Sequence, residues 1–70
     1  MKNKIAERLQ SLIQEENITA NKLATILNVS NSVVYYWLKG KTTPNADYII
    51  AICEYFNICA DYLLGRKDFY

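Results

Sequence analysis

Apolar residues near the start of the chain recur at the three- and four-residue intervals of one helical face. Ile5, Leu9, Leu12 and Ile13 line that face, Ala6 adds a small contact, and Lys4, Glu7, Arg8, Gln10 and Ser11 fill the other. This spacing predicts a helix over about 3–16. Asn17 tolerates a turn or left-handed backbone and Thr19 is a good N-cap, which predicts a short second helix over 20–27 with Leu23, Ala24 and Leu27 inward. Ser30 is the next cap, and Val34, Trp37 and Leu38 fall at core-compatible intervals before Gly40 stops a third helix over 31–39. The run VVYYW, Val33 to Trp37, has the composition of a strand. It lacks clean alternation, and the cap before it and the Lys39–Gly40 end after it decide for a helix. Pro44 discourages helical geometry at Thr43, so 41–45 reads as a loop. Asn45 then caps a fourth helix over 46–56, which Asn57 ends. Ile58 plugs the core, and a fifth helix over 60–64 closes at Gly65.

Five helices joined by short turns make an all-α domain, read as one unit over 1–70. The pattern places Ile5, Leu9, Leu12, Leu23, Ala24, Leu27, Val29, Val34, Trp37, Leu38, Ile49, Ile52, Cys53, Phe56, Ile58, Leu63 and Leu64 in the core. A chain of 70 residues buries only about 60% of the surface its unfolded form exposes, so it builds one small core. A dinucleotide-binding fold or a barrel needs far more chain, which shifts the expectation from enzyme to binding module.

The formal charge is +1, far from the strongly basic balance of many nucleic-acid binders. That total is unevenly spread, with net +3 over 1–44 and net −2 over 45–70. Such a tilt orients a domain toward a polyanion, or equally describes an ordinary solvated face. The chain has no His, and the six-residue spacing of Cys53 and Cys59 fits neither a zinc finger nor a redox pair. Free thiols among apolar neighbours are expected, in a reducing compartment. The N-terminal segment lacks the uninterrupted apolar stretch of a secretory signal or membrane span. The expectation is a soluble cytoplasmic protein with no metal, no small-molecule cofactor, no membrane partner and no enzymatic constellation.

Thr19 to Gly40 holds two short helices, each opened by a hydroxyl residue and separated by a small turn at Asn28–Val29. One use of such a pair is to brace one helix while the other enters a major groove. The matching positions extend further: Leu12, Ile18–Thr19, Leu23–Ala24, LNVS at 27–30, Val34, Trp37, Gly40–Lys41, Pro44, AICEYFNI at 51–58 and DYLLG at 61–65. From Ile5 to Gly65 the chain resembles the Cro and phage-repressor type helix-turn-helix family. The resemblance implies a five-helix, lambda-repressor-like domain, and a bacterial or prophage transcriptional regulator, most simply a repressor. Its implied partner is double-stranded DNA, an imperfectly palindromic operator covered by a homodimer. The other reading is a small protein-interaction module, such as an antirepressor or a toxin–antitoxin component.

Carried over by position, the resemblance puts Ser30, Asn31, Ser32, Val33, Tyr35 and Tyr36 at the start and exposed face of the recognition helix. Asn31 has the chemistry for a bidentate pair with adenine, Ser32 donates or accepts at a base edge, and Val33, Tyr35 or Tyr36 can pack on a thymine methyl. Asn31 and Ser32 are also ordinary helix-start residues, and the tyrosine hydroxyls can equally reach phosphate or a protein surface. Phosphate contacts are expected from Thr19, Lys22, Ser30, Lys39, Lys41, Thr42 and Thr43, each lysine having a plain solubilising role as its alternative. The sequence departs from the family pattern at Ala20, often a glutamine, and at Ile13 and Leu38, often an Arg–Glu ion pair. Two aliphatic residues avoid the desolvation of that pair, so Ile13 and Leu38 are expected to pack together. Phe69 and Tyr70 fold back, join a dimer contact or fray.

Overall fold

In a computed structural model, the described residues are 4–69. They form α1 (Ile5–Glu15), α2 (Ala20–Leu27), α3 (Asn31–Lys39), α4 (Ala46–Phe56) and α5 (Ala60–Leu64), with no strand among them. The expected helix start at residue 3 and any role of Tyr70 lie outside the described residues. The strand-like run Val33–Trp37 is helical, and α1 ends one residue earlier than its periodicity predicts.

Three of the four junctions are built alike. Asn17–Ile18–Thr19, Asn28–Val29–Ser30 and Asn57–Ile58–Cys59 each begin with an asparagine in left-handed backbone, at φ 55, 58 and 57°. Asparagine visits that region more readily than other side-chain-bearing residues. The next amide then reaches back to a helix carbonyl: Ile18 N–H to Ile13 O at 3.1 Å, Val29 N–H to Ala24 O at 3.0 Å and Ile58 N–H to Cys53 O at 3.0 Å. This closure satisfies carbonyls the helix leaves unpaired and turns a β-branched side chain toward the core. The third residue is the N-cap of the following helix. At Gly40 (φ 75°) and Gly65 (φ 86°) the same reversal is followed by Lys41 and Arg66, whose side chains are exposed rather than buried.

The core contains Ile5, Leu9, Leu12, Leu23, Ala24, Val34, Trp37, Ile52, Cys53, Phe56, Ile58, Tyr62 and Leu63. Leu27, Val29, Leu38, Ile49 and Leu64 are only partly buried and pack along its margin. Tyr62 is a core residue that the apolar pattern misses, because its ring is roofed by a cation. The Arg8 guanidinium lies 4.4 Å from the ring centroid and reaches Asp68 at 3.1 Å. The tail is thereby turned back on α1 at Asp68, while the Phe69 ring stays exposed beside Lys67. Both cysteines are free thiols.

Candidate nucleic-acid interface

α3 divides into two faces by the helical repeat. Val34 and Trp37 are buried, and the Trp37 ring leans on Tyr48 of α4 with centroids 5.5 Å apart. On the opposite side Asn31, Ser32, Tyr35, Tyr36 and Lys39 are exposed. Tyr35 and Tyr36 keep 45% and 46% of their surface in solvent, an unusual investment of aromatic area for a domain with so small a core. Residues three and four apart are neighbours on a helix, so these side chains form one continuous stripe.

Val33 departs from this stripe: it is half-buried and packs on the core, with less surface to offer a base than its neighbours. Ser30 occupies the N-cap position of α3, but its hydroxyl makes no capping bond. It lies 3.2 Å from the Ser32 hydroxyl instead. Thr19 does cap α2, accepting from Lys22 N–H at 3.0 Å, and its own hydroxyl proton is left to donate elsewhere. Asn45 caps α4 in the same way through Tyr48 N–H at 3.0 Å.

After α3 the chain folds tightly beneath the stripe. Lys41 N–H and Thr42 N–H both donate to Tyr36 O, at 3.0 and 3.5 Å, and the Lys41 ammonium lies 5.9 Å from the Tyr36 ring centroid. Pro44 is buried and anchors the loop, while Lys39, Lys41, Thr42 and Thr43 are exposed around it. Lys22 is exposed on α2. Ala20 is half-buried and carries no polar group. Ile13 and Leu38 are each partly buried against the core.

Two features escape a reading by residue type. Between Glu16 and Asp47 there is no acidic residue, while Lys22, Lys39 and Lys41 fall within that interval. This acid-free run coincides with α2, α3 and their flanking turns, a sharper signal than the charge of a whole half. The second is Gln10, whose side-chain amide donates to Leu38 O at 2.7 Å. A surface glutamine on a polar helix face carries no pattern that singles it out. The exposed stripe, the hydroxyl groups at both helix starts and the uncontested lysines together suit a polyanion with readable edges.

The helix-turn-helix family model matches residues 9–63. The chain belongs to the helix-turn-helix family. This helix-turn-helix chain is 34% identical over 62 residues to the HTH-type transcriptional activator BcrR of Enterococcus faecalis, covering 89% of this chain and 30% of that protein. It is 25% identical over 64 residues to the HTH-type transcriptional regulator ImmR of Bacillus subtilis (strain 168), covering 91% of this chain and 50% of the relative. The chain thus spans half or less of the length of these curated relatives. Among solved structures, a transcriptional regulator from Listeria innocua superposes with TM-score 0.88 at 31% identity, over 93% of this chain and 61% of that one. The P22 c2 repressor, solved in complex with a synthetic operator, superposes with TM-score 0.82 at 25% identity, over 90% of this chain and 96% of that one. The five-helix, repressor-like architecture expected from the sequence is the one observed. Among the described residues no helix is long and apolar enough to cross a membrane.

Proposed function

We propose that this helix-turn-helix chain binds double-stranded DNA sequence-specifically as a cytoplasmic transcriptional regulator, with α3 in the major groove. The observation that carries the reading is the exposed Asn31–Ser32–Tyr35–Tyr36 stripe on an acid-free segment, in a fold shared with a repressor solved on its operator. Asn31 and Ser32 read base edges from the first turn of α3, Tyr35 and Tyr36 pack on thymine methyls or neighbouring sugars, and Val33 contributes what its half-buried side chain still exposes. Thr19, Lys22, Ser30, Lys39, Lys41, Thr42 and Thr43 hold phosphates on either side and set the register. Binding releases counterions, so affinity falls steeply with salt.

The relatives include both an activator and a repressor, and covering a promoter requires nothing beyond occupancy. Repression by a homodimer on an imperfect palindrome is therefore the simplest mode. The chain's role is binding, not catalysis.

Selection of bound duplexes from a random pool tests this. The wild type is expected to enrich one short, imperfectly palindromic sequence. Asn31→Ala and Tyr36→Ala should each relax preference at their own positions, at a cost of about 1–3 kcal/mol per lost base contact. A wild type that enriches nothing at low salt sinks the DNA reading. A protein-interaction module would keep its partner when Asn31 and Ser32 are both replaced by alanine.

A further inference from the structure

The carbonyls at the end of a helix need partners, and the way α3 finds them is uneven. Tyr36 O accepts from Lys41 N–H and Thr42 N–H, and Trp37 O accepts from Gly40 N–H at 3.1 Å. Those donors belong to the turn that α3 itself leads into, so they move with the helix. Leu38 O accepts instead from Gln10 Nε2 at 2.7 Å, a donor 28 residues away on α1. Gln10 sits in a row that runs along this end of α3. Ala6, one turn before it, approaches Gly40 so closely that a Cβ there would lie 3.9 Å from its own. Ile13, nearly one turn after it, is partly buried, as is Leu38.

We propose that Gln10 is a positioning residue for DNA reading: its hydrogen bond to Leu38 O fixes the angle at which α1 presents α3 to the groove. The inference rests on the DNA reading above. Apolar contact is non-directional and permits small rotations, whereas a hydrogen bond weakens steeply as its geometry degrades. The lever is long. Leu38 and Asn31 are separated by about 10 Å along the helix axis, so a pivot of about 10° at the C-terminal end moves the first turn by about 2 Å. That exceeds the tolerance of a hydrogen bond to a base edge. Flexible lysines reaching phosphates absorb the same shift, so losing the Gln10 bond should cost discrimination and spare general affinity for DNA.

Gln10→Met keeps the length and helical preference of the side chain and removes the donor. Gln10→Lys keeps an N–H donor at similar reach. The measurement is the ratio of affinities for the duplex selected by the wild type and for a random duplex, beside thermal melting of each free protein. For Gln10→Met the ratio should fall about five- to tenfold. Its affinity for the random duplex at low salt should stay within about twofold, and its melting temperature within a few degrees of wild type. Gln10→Lys should raise both affinities through its charge and hold the ratio. A wild-type ratio in Gln10→Met, a parallel loss on both duplexes, or Met and Lys variants with the same lowered ratio would each overturn the positioning role alone. A wild type that prefers no sequence overturns the DNA reading and the positioning role together.

Discussion

Gly40 and Gly65 close helices in the same left-handed conformation but stand in different surroundings. A Cβ at Gly40 would meet Ala6 Cβ at 3.9 Å, ordinary van der Waals contact, whereas one at Gly65 would meet Lys4 Cβ and Cγ at 2.8 Å. Gly40→Ala should therefore cost only the backbone penalty, about 1–2 kcal/mol. Gly65→Ala should cost that plus about 1–3 kcal/mol for the clash at the foot of α1. Denaturant melts that rank the two variants in the opposite order would contradict the contact geometry. Cys53 offers a second residue-level test. Burial pushes its thiol pKa up, and the nearby Cys59 adds to the shift. A raised folded-state pKa means that the fold favours the protonated thiol. This contribution to stability is complete below the thiol's unfolded pKa and is lost as pH rises through the folded one. Melting temperature should therefore decline on the alkaline side more steeply for the wild type than for Cys53→Ala, and equal slopes would refute the linkage.

At the scale of elements, the three Asn–apolar–cap junctions explain why so much of the chain was legible. Each junction carries its stop, its plug and the N-cap position of the next helix in consecutive residues, so both ends of α2 are marked locally, as are the Asn45-capped start and Asn57 end of α4. α3 is the exception. Its β-branched and aromatic run favours a strand locally, and burial of Val34 and Trp37 in the core, with α3 packed on α1 and α2 and Trp37 beside Tyr48 of α4, overrides that preference. A peptide spanning Ser30–Lys41 should accordingly show little helix in water by circular dichroism, because a nine-residue helix with weak formers falls short of independent stability. Substantial helicity in that peptide would place the cause in local propensity instead. What the residues could not disclose are relations between elements. Tyr62 is buried in the core cluster with Arg8 of α1 over its ring. Gln10 gains its role only because the end of α3 arrives beside it. Ser30 stands at a helix start and yet turns its hydroxyl to Ser32. The exposed stripe was readable as far as the helical repeat could sort α3 into sides, and Val33, partly buried at the core margin, lies where the repeat is ambiguous.

At the scale of the molecule, size bears on the proposed pairing of two copies on one operator. The described residues extend 28 × 25 × 21 Å, less than the separation of about 34 Å between major grooves that face the same side of B-DNA. Two domains can therefore occupy successive grooves side by side without overlap, each presenting its own α3 to one half-site. Contact between the copies, wherever it forms, is then correct only for one relative rotation about the DNA axis. Inserting about five base pairs between the half-sites turns one copy to the opposite face of the duplex, whereas inserting about ten restores the face and lengthens the gap. On the native spacing, binding should be cooperative with two chains per duplex. The five-pair insertion should abolish cooperativity while each half-site still binds one chain, and the ten-pair insertion should return the same face without returning contact unless the DNA bends. Titrations of the three duplexes, followed by gel shift at one fixed salt concentration, distinguish these outcomes. Equal cooperativity on all three would mean that the copies do not touch through a fixed interface, and independent binding on the native spacing would remove the homodimer from the proposed mode of repression.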